Sequence, residues 1–251
     1  MRGCSFFLLA AALASAKSYP VDGIVVALDP VARTMLVSHR PIANYMPAMV
    51  MPFRVADPAD LARLHPGARI EFRLEVGKQQ SIARNVRRAA GGDVEIAPPK
   101  DKLRIGDLVP ALAKHRGRVV AVNFIYTRCP LPDVCPRLSA NFAAVQRKFR
   151  DTDLLLLSVT VDPDYDTPQV LAEYAQRWNA DPSRWRFLAG DQAALAASLG
   201  EVYWTDEGSI GHNSVTSIVG RDGRLAAQLE GASFRADQLE NLIDHELRRT
   251  K

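Results

Sequence analysis

The sequence predicts an α/β protein of two units: a small all-β unit, then a mixed β-sheet with helices on both faces. Three observations predict this. The run RIEFRLEV (69–76) alternates apolar and charged residues with a period of two, as a half-buried strand does. The runs VVAVNFIY (119–126) and LLLLSVTV (154–161) are continuously apolar, as strands buried on both faces are. Between the two patterns, GGDVEIAPPK (91–100) carries a Gly pair, a Pro pair and no apolar period, which marks a seam.

The 251 residues, 47% of them hydrophobic, suffice for one large core or two smaller ones. The net charge of +4 is spread, with Lys and Arg interleaved among Asp and Glu, so the surface is basic and soluble and no nucleic-acid footprint is expected. Residues 1–16 read as a signal peptide. Arg2 supplies the positive start, Phe6 to Leu13 a short apolar run, and Ala14-Ser15-Ala16 a small-x-small cleavage site. That run is well short of the roughly 20 residues of a membrane span. The protein is expected to be exported and periplasmic, or tethered to the membrane if the segment is not cleaved. Cleavage removes Cys4 and leaves a single pair, Cys129 and Cys135.

In the first unit, Val21 to Leu28 is rich in β-branched residues, Asp29-Pro30 marks a turn, and Thr34 to Ser38 resumes as a strand. Pro58 to Leu64 reads as a short helix with Asp57 as its cap, and Ile82 to Val86 as a further strand. Several short strands in about 70 residues suit a small β-barrel. In the second unit, Leu138, Phe142, Val145 and Phe149 share one helix face after the first buried strand. Thr167-Pro168 opens another helix, with Val170, Leu171, Tyr174 and Trp178 on one side. Val215 to Val219 and Leu225 to Leu229 form a hairpin around Arg221-Asp222-Gly223. Leu239, Leu242, Ile243 and Leu247 line a final helix. The order β-α-β-α, hairpin, α is that of thioredoxin-like folds. His65, His115 and His245 have no soft neighbour and read as surface residues; the three tryptophans read as packing residues.

The chemistry is concentrated in FIYTRCPLPDVCP (124–136), where five residues, two of them prolines, separate Cys129 from Cys135. The loop leaves a buried strand and enters a helix, with Cys135 about at the N-cap. Unpaired N–H groups and the helix dipole there favour a thiolate. A structural disulfide, a thiol–disulfide couple and a metal site all fit such a pair. Two thiolates favour Cu(I), or Zn(II) with two more ligands. His212, 77 residues beyond Cys135 and just before a strand, is the best third ligand. No fourth soft or imidazole ligand is evident, which counts against closed zinc. Two thiolates and an imidazole suit three-coordinate Cu(I), or Cu(II) with a weak extra ligand.

VNFIYTRCPLPDVCP, the run LSVTVDPDYDTPQVLAEYAQRW (157–178) and the late His212 together resemble the Sco/SenC family over about 101–249. The resemblance implies a thioredoxin-like fold and copper held by Cys129, Cys135 and His212. It also implies delivery to the dinuclear copper centre of cytochrome c oxidase, with an oxidase subunit or a related copper protein as the receiving partner. That family commonly has three residues between its cysteines; Leu131-Pro132 is a two-residue insertion here. Asp162 and Asp166, in the Asp-Pro-x-x-Asp-Thr-Pro run, read as turn and helix-entry residues.

A second soft cluster lies in SHRPIANYMPAMVMPF (38–53), where Met46, Met49 and Met51 are three of the chain's five methionines. Met49 and Met51 face the same way on a strand. They can simply fill a core, or, with His39, hold Cu(I) or Ag(I). The pattern resembles the small periplasmic copper proteins of the CusF type, over about 19–89. The resemblance implies a five-stranded barrel of the oligonucleotide-binding shape and His39, Met49 and Met51 as ligands. Met46 stands where that family has a tryptophan over the metal, as a fourth ligand or a more open cover, and Tyr45 can partly replace the ring.

The expected organisation is therefore a signal peptide (1–16), a CusF-like unit (19–89), a linker (90–100) and a Sco/SenC-like unit (101–249). The expected function is that of a copper metallochaperone, with copper passed between the two units. The alternatives are a thiol-disulfide oxidoreductase acting through Cys129 and Cys135 on a partner's copper-site cysteines, and periplasmic copper buffering.

Overall fold

The computed structural model of the chain describes residues 17–96, 102–206 and 208–249. The expected signal peptide, with Cys4, and residues 97–101 of the expected linker lie outside the described residues. The first sheet contains β1 (Lys17–Asp29), β2 (Thr34–His39), β3 (Met49–Arg54), β4 (Arg69–Val76) and β5 (Ser81–Arg88). It is antiparallel, in the order β3-β2-β1-β4-β5. The sheet curls without closing: β3 and β5 remain edges, and the chain just past β3 approaches β5 at the bridge Val55–Ala83. Pro52 lies in β3, and a proline without an N–H is tolerated at such an edge. Gly23 allows β1 to pass close to β2, since a Cβ there would sit 2.5 Å from the Ser38 carbonyl oxygen. The short helix α1 (Pro58–Leu61) is capped by Asp57, which accepts from the Ala59 N–H at 2.9 Å. It ends at Leu61, short of the expected Leu64, whose side chain still packs against the first sheet's core.

The second sheet contains β6 (Val120–Ile125), β7 (Leu155–Thr160), β8 (Trp185–Leu188), β11 (Val215–Val219) and β12 (Leu225–Glu230). Its order is β12-β11-β6-β7-β8, with β6, β7 and β8 parallel and β11–β12 an antiparallel hairpin. Every residue of β6 and β7 is buried, so both faces of the sheet are covered, as the apolar runs require. The covering helices are α2 (Cys135–Lys148), α3 (Pro168–Arg177), α4 (Ala193–Ser198) and α5 (Ala236–Arg248). Leu138, Phe142 and Val145 on α2 and Phe149 at its C-cap are buried as their spacing predicts, as are Leu239 and Ile243 on α5. Thr167 caps α3 through the Val170 N–H at 3.3 Å. Strand β8, helix α4 and the separate hairpin β9 (Tyr203–Asp206)–β10 (Ser209–His212) carry no strong sequence period.

Between the sheets lies a third apolar cluster of Ile24, Val26, Ile96, Val202 and Trp204, with Leu36, Val50 and Val94 against it. Strand alternation explains its membership. In β1, Val25 faces the first sheet's own core while Ile24 and Val26 face the neighbouring cluster. β2 repeats this with Met35 and Val37 inward and Leu36 outward. Ile96 and Val94 draw part of the seam into the same cluster. Arg69 adds an ion pair to Asp206 at 2.5 Å. Trp204 lies on Gly211 of the facing strand, where a Cβ would meet the indole at 2.4 Å.

No helix among the described residues is long and apolar enough to cross a membrane. Trp204 is 4% exposed at the junction, so Trp204→Ala is expected to cost about 3–5 kcal/mol. Calorimetry of the full chain should show this as loss of coupling between the two sheets, with the single transition broadened or split. Val31→Ala, at a residue 95% exposed, should change stability by less than about 0.5 kcal/mol.

Candidate metal centre

The segment after β6 is tied to the sheet before it reaches the cysteines. Asp166, fully buried, accepts from the Thr127 N–H, from the Thr127 hydroxyl at 2.5 Å and from the Thr160 hydroxyl at 2.5 Å. Asp162 accepts from Arg128 Nε at 2.6 Å, and the Arg128 guanidinium lies over the Tyr165 ring. The two aspartates therefore do more than shape the turn before α3: they fix the base of the cysteine loop. The notable Asp-Pro-x-x-Asp-Thr-Pro spacing is the signal that could have assigned them that task.

Cys135 is the first residue of α2, with Val134 as N-cap, one position later in role than the sequence suggests. Its side chain is wholly buried, whereas Cys129 is half-buried, and both thiols are free. This reverses the expected charge assignment. A hydrogen bond with Cys135 brings the Cys129 thiol down to about 5 despite burial, while that bond and burial push Cys135 up. A helix N-terminus favours a thiolate, but the more solvated of two interacting sulfurs takes the charge. Cys129 Sγ also lies 3.8 Å from the Leu131 carbonyl oxygen.

His212, at the end of β10, places Nε2 3.7 Å from Cys135 Sγ. Its Nδ1–H donates to Glu201 Oε1 at 2.7 Å. Glu201 has no exposed side-chain surface. Its other partners are the Val215 N–H at 2.6 Å and the Ser214 N–H at 3.3 Å. The carboxylate thus orients the ring and turns Nε2 toward the sulfur, the arrangement by which a carboxylate selects the ligating nitrogen of a histidine. Glu201 was not singled out from the sequence; its one signal is an acidic residue between the apolar Leu199 and Val202, 11 positions before His212. Tyr126 donates to the Ile210 carbonyl at 2.9 Å and meets the His212 ring edge-on. Cys129, Cys135 and His212 are thereby gathered, but among the described residues no three His, Cys, Asp or Glu side chains are already arranged to hold a metal ion.

The second predicted cluster is set by strand register. His39 is paired directly with Met49 across β2–β3, and Val37 with Met51. His39, Met49 and Met51 therefore lie on one face, with the first pair within side-chain reach. His39 is 2% exposed. Its Nδ1–H donates to the Arg40 carbonyl at 2.7 Å, and Nε2 is buried without a partner. Burial lowers the pKa of the ring and favours the neutral imidazole. Met46 packs against the first sheet's core from the β2–β3 connection, bridged to Ile42. Tyr45 stacks on Tyr19 at 4.5 Å. Of the other histidines, His65 is exposed beside Asp93 and His245 is exposed, while His115 is half-buried.

The two sulfurs should differ in reactivity. In the apo chain, iodoacetamide is expected to modify Cys129 well before Cys135, with the rate holding above about pH 5 and falling as the thiolate is protonated below it. Peptide mass mapping of a timed alkylation series reads this directly; equal labelling would contradict the burial difference.

Residues 111–247 match the family model described as SCO1/SenC, and residues 18–87 match that described as copper binding periplasmic protein CusF. A SCO1 protein homolog of Bacillus subtilis is 28% identical over 130 residues, covering 48% of this chain and 66% of that protein, just under two thirds of its length. A putative electron transfer protein from Aquifex aeolicus shares the fold, with a TM-score of 0.50 at 17% identity, covering 58% of this chain and 98% of that one. Arabidopsis thaliana ScoI with copper bound aligns with a TM-score of 0.47 at 23% identity, covering 55% and 88%. The family match takes in more than half of the 251 residues and contains the cysteine loop, Glu201 and His212. The chain belongs to the SCO1/SenC family.

Proposed function

We propose that the protein is an exported copper metallochaperone that carries Cu(I) to the dinuclear copper centre of cytochrome c oxidase or to a related copper protein. The observation that carries the reading is the Cys135–His212–Glu201 line: a sulfur, an imidazole aimed at it, and a buried carboxylate fixing the aim. Cys129, on the more accessible side, completes a set of two sulfurs and one nitrogen suited to a soft ion. The unpartnered Nε2 of His39 beside Met49 supports a second soft site, and neutral donors suit Cu(I) or Ag(I) there. In this reading residues 1–16 are a signal peptide, 19–89 a copper-holding unit and 101–249 the delivery unit. Anaerobic Cu(I) titration of the full chain tests it. About two Cu(I) per chain are expected, with Cys129→Ser removing one and Met49→Ile with Met51→Ile removing the other.

A second reading is favoured by the paired free thiols, one activated and one buried: a dithiol reductant that keeps a partner's copper-ligating cysteines reduced. It predicts that a Cys135→Ser variant traps a mixed disulfide through Cys129. Glu201→Gln separates the two. It is expected to weaken Cu(I) retention at the cysteine site by about 10- to 100-fold, measured against a chromophoric chelator, while leaving the Cys129 alkylation rate unchanged.

A further inference from the structure

A cavity of about 370 Å³ opens where the two sheets meet. One wall contains His39, Met49 and Met51; the opposite wall contains Cys129, Leu131 and His212. The cavity runs along the free edge of β3: Leu36 and Val50 face the junction, whereas His39, Met49 and Met51 share the inward face with Val37, so the cavity approaches this soft cluster around that edge. Three features bring the two soft clusters to it. β3, which carries the methionines, is an edge strand: among the described residues no further strand pairs along its outer side, and the bridge Val55–Ala83 lies just past its end. The β9–β10 hairpin packs onto the first sheet through Trp204, and the residue paired with Trp204 is Gly211, next to His212. The anchor of the junction and the imidazole thus belong to one four-residue ladder. Finally, Leu131, from the two-residue widening of the cysteine loop, reaches the cavity and brings its segment toward β3. Cys135 is absent from the lining and wholly buried.

We propose that Cu(I) moves from His39, Met49 and Met51 to Cys129, and then to Cys135 and His212, through this cavity and without leaving the chain. The inference rests on the copper reading of both sites. Each step is a ligand exchange: a copper–thioether bond breaks as a copper–sulfur bond to Cys129 forms. The methionine leaves neutral, any thiol proton goes to water, and copper stays Cu(I), so no electron acceptor or donor is needed. The shared cavity makes the exchange intramolecular, with an effective donor concentration of roughly millimolar. The exposure difference between the sulfurs sets the order, Cys129 first and Cys135 second.

The test uses two full-length chains in equal amounts, one wild type and the other isotopically labelled with Met49→Ile and Met51→Ile. Limiting Cu(I), supplied anaerobically as its acetonitrile complex, is added, and free thiols are alkylated at short times. Mass spectrometry then reads which chains have protected cysteines. Hand-off within the chain predicts at least tenfold more early protection of Cys129 and Cys135 in the chains that keep their methionines. Equal protection in both overturns the inference. Ala48→Trp, on the cavity wall, should abolish the bias in wild-type chains while both sites still fill; a bias that survives overturns the cavity as the route. If that variant does not fold, Ser233→Trp plugs the cavity from the other side. Failure of either site to bind Cu(I) sinks the metallochaperone reading itself, whereas two filled sites without bias sink this inference alone.

Discussion

A carboxylate with no exposed surface is costly unless its oxygens are all engaged. Glu201 meets that condition with an imidazole N–H and two backbone N–H groups. The three donors come from the end of β10, the connection after it and the first residue of β11. One side chain therefore stitches the hairpin to the central sheet and aims His212 at Cys135 in the same act. The rest of the centre depends on this. Were the carboxylate left with fewer donors, the ring would lose its orientation and the hairpin its seat, and the hairpin also carries Trp204 to the first sheet.

The cysteine loop is held by a parallel arrangement on the other side. Asp166 and Asp162, from the connection after β7, hold Thr127 and Arg128 at the loop's base, leaving the stretch between the sulfurs to its prolines. Fully buried β6 and β7 form a floor beneath it that tolerates little movement. Adjustment of the sulfurs to a ligand must then come from residues between Arg128 and Cys135, where Cys129 remains partly accessible.

The sequence made the strands and main helices legible wherever a period or a continuous apolar run existed, and the soft side chains legible wherever spacing was distinctive. RIEFRLEV and VVAVNFIY became β4 and β6 almost residue for residue. Cys135 and His212 are neighbours at 3.7 Å, and Cys129 lines the same cavity as His212. A helix start makes Cys135 the expected thiolate, whereas in the structure the Cys129 thiol is shifted down and the Cys135 thiol up, because the relative burial of two sulfurs is a tertiary quantity that no spacing shows. Glu201 escaped notice because an isolated acid in a short apolar stretch looks like any surface residue until its donors are in place. The junction was hidden for a related reason. Ile24-Val25-Val26 signals burial on both faces, but nothing in its period says that one face belongs to another sheet.

Pro52 gives the outer rim of β3 a consequence of its own. An unpaired strand normally offers a ladder of donors and acceptors to any extended peptide nearby, which is a hazard for a chain among unfolded neighbours. A proline leaves a gap in that ladder. The flank of β3 is thereby poorly suited to recruiting another polypeptide.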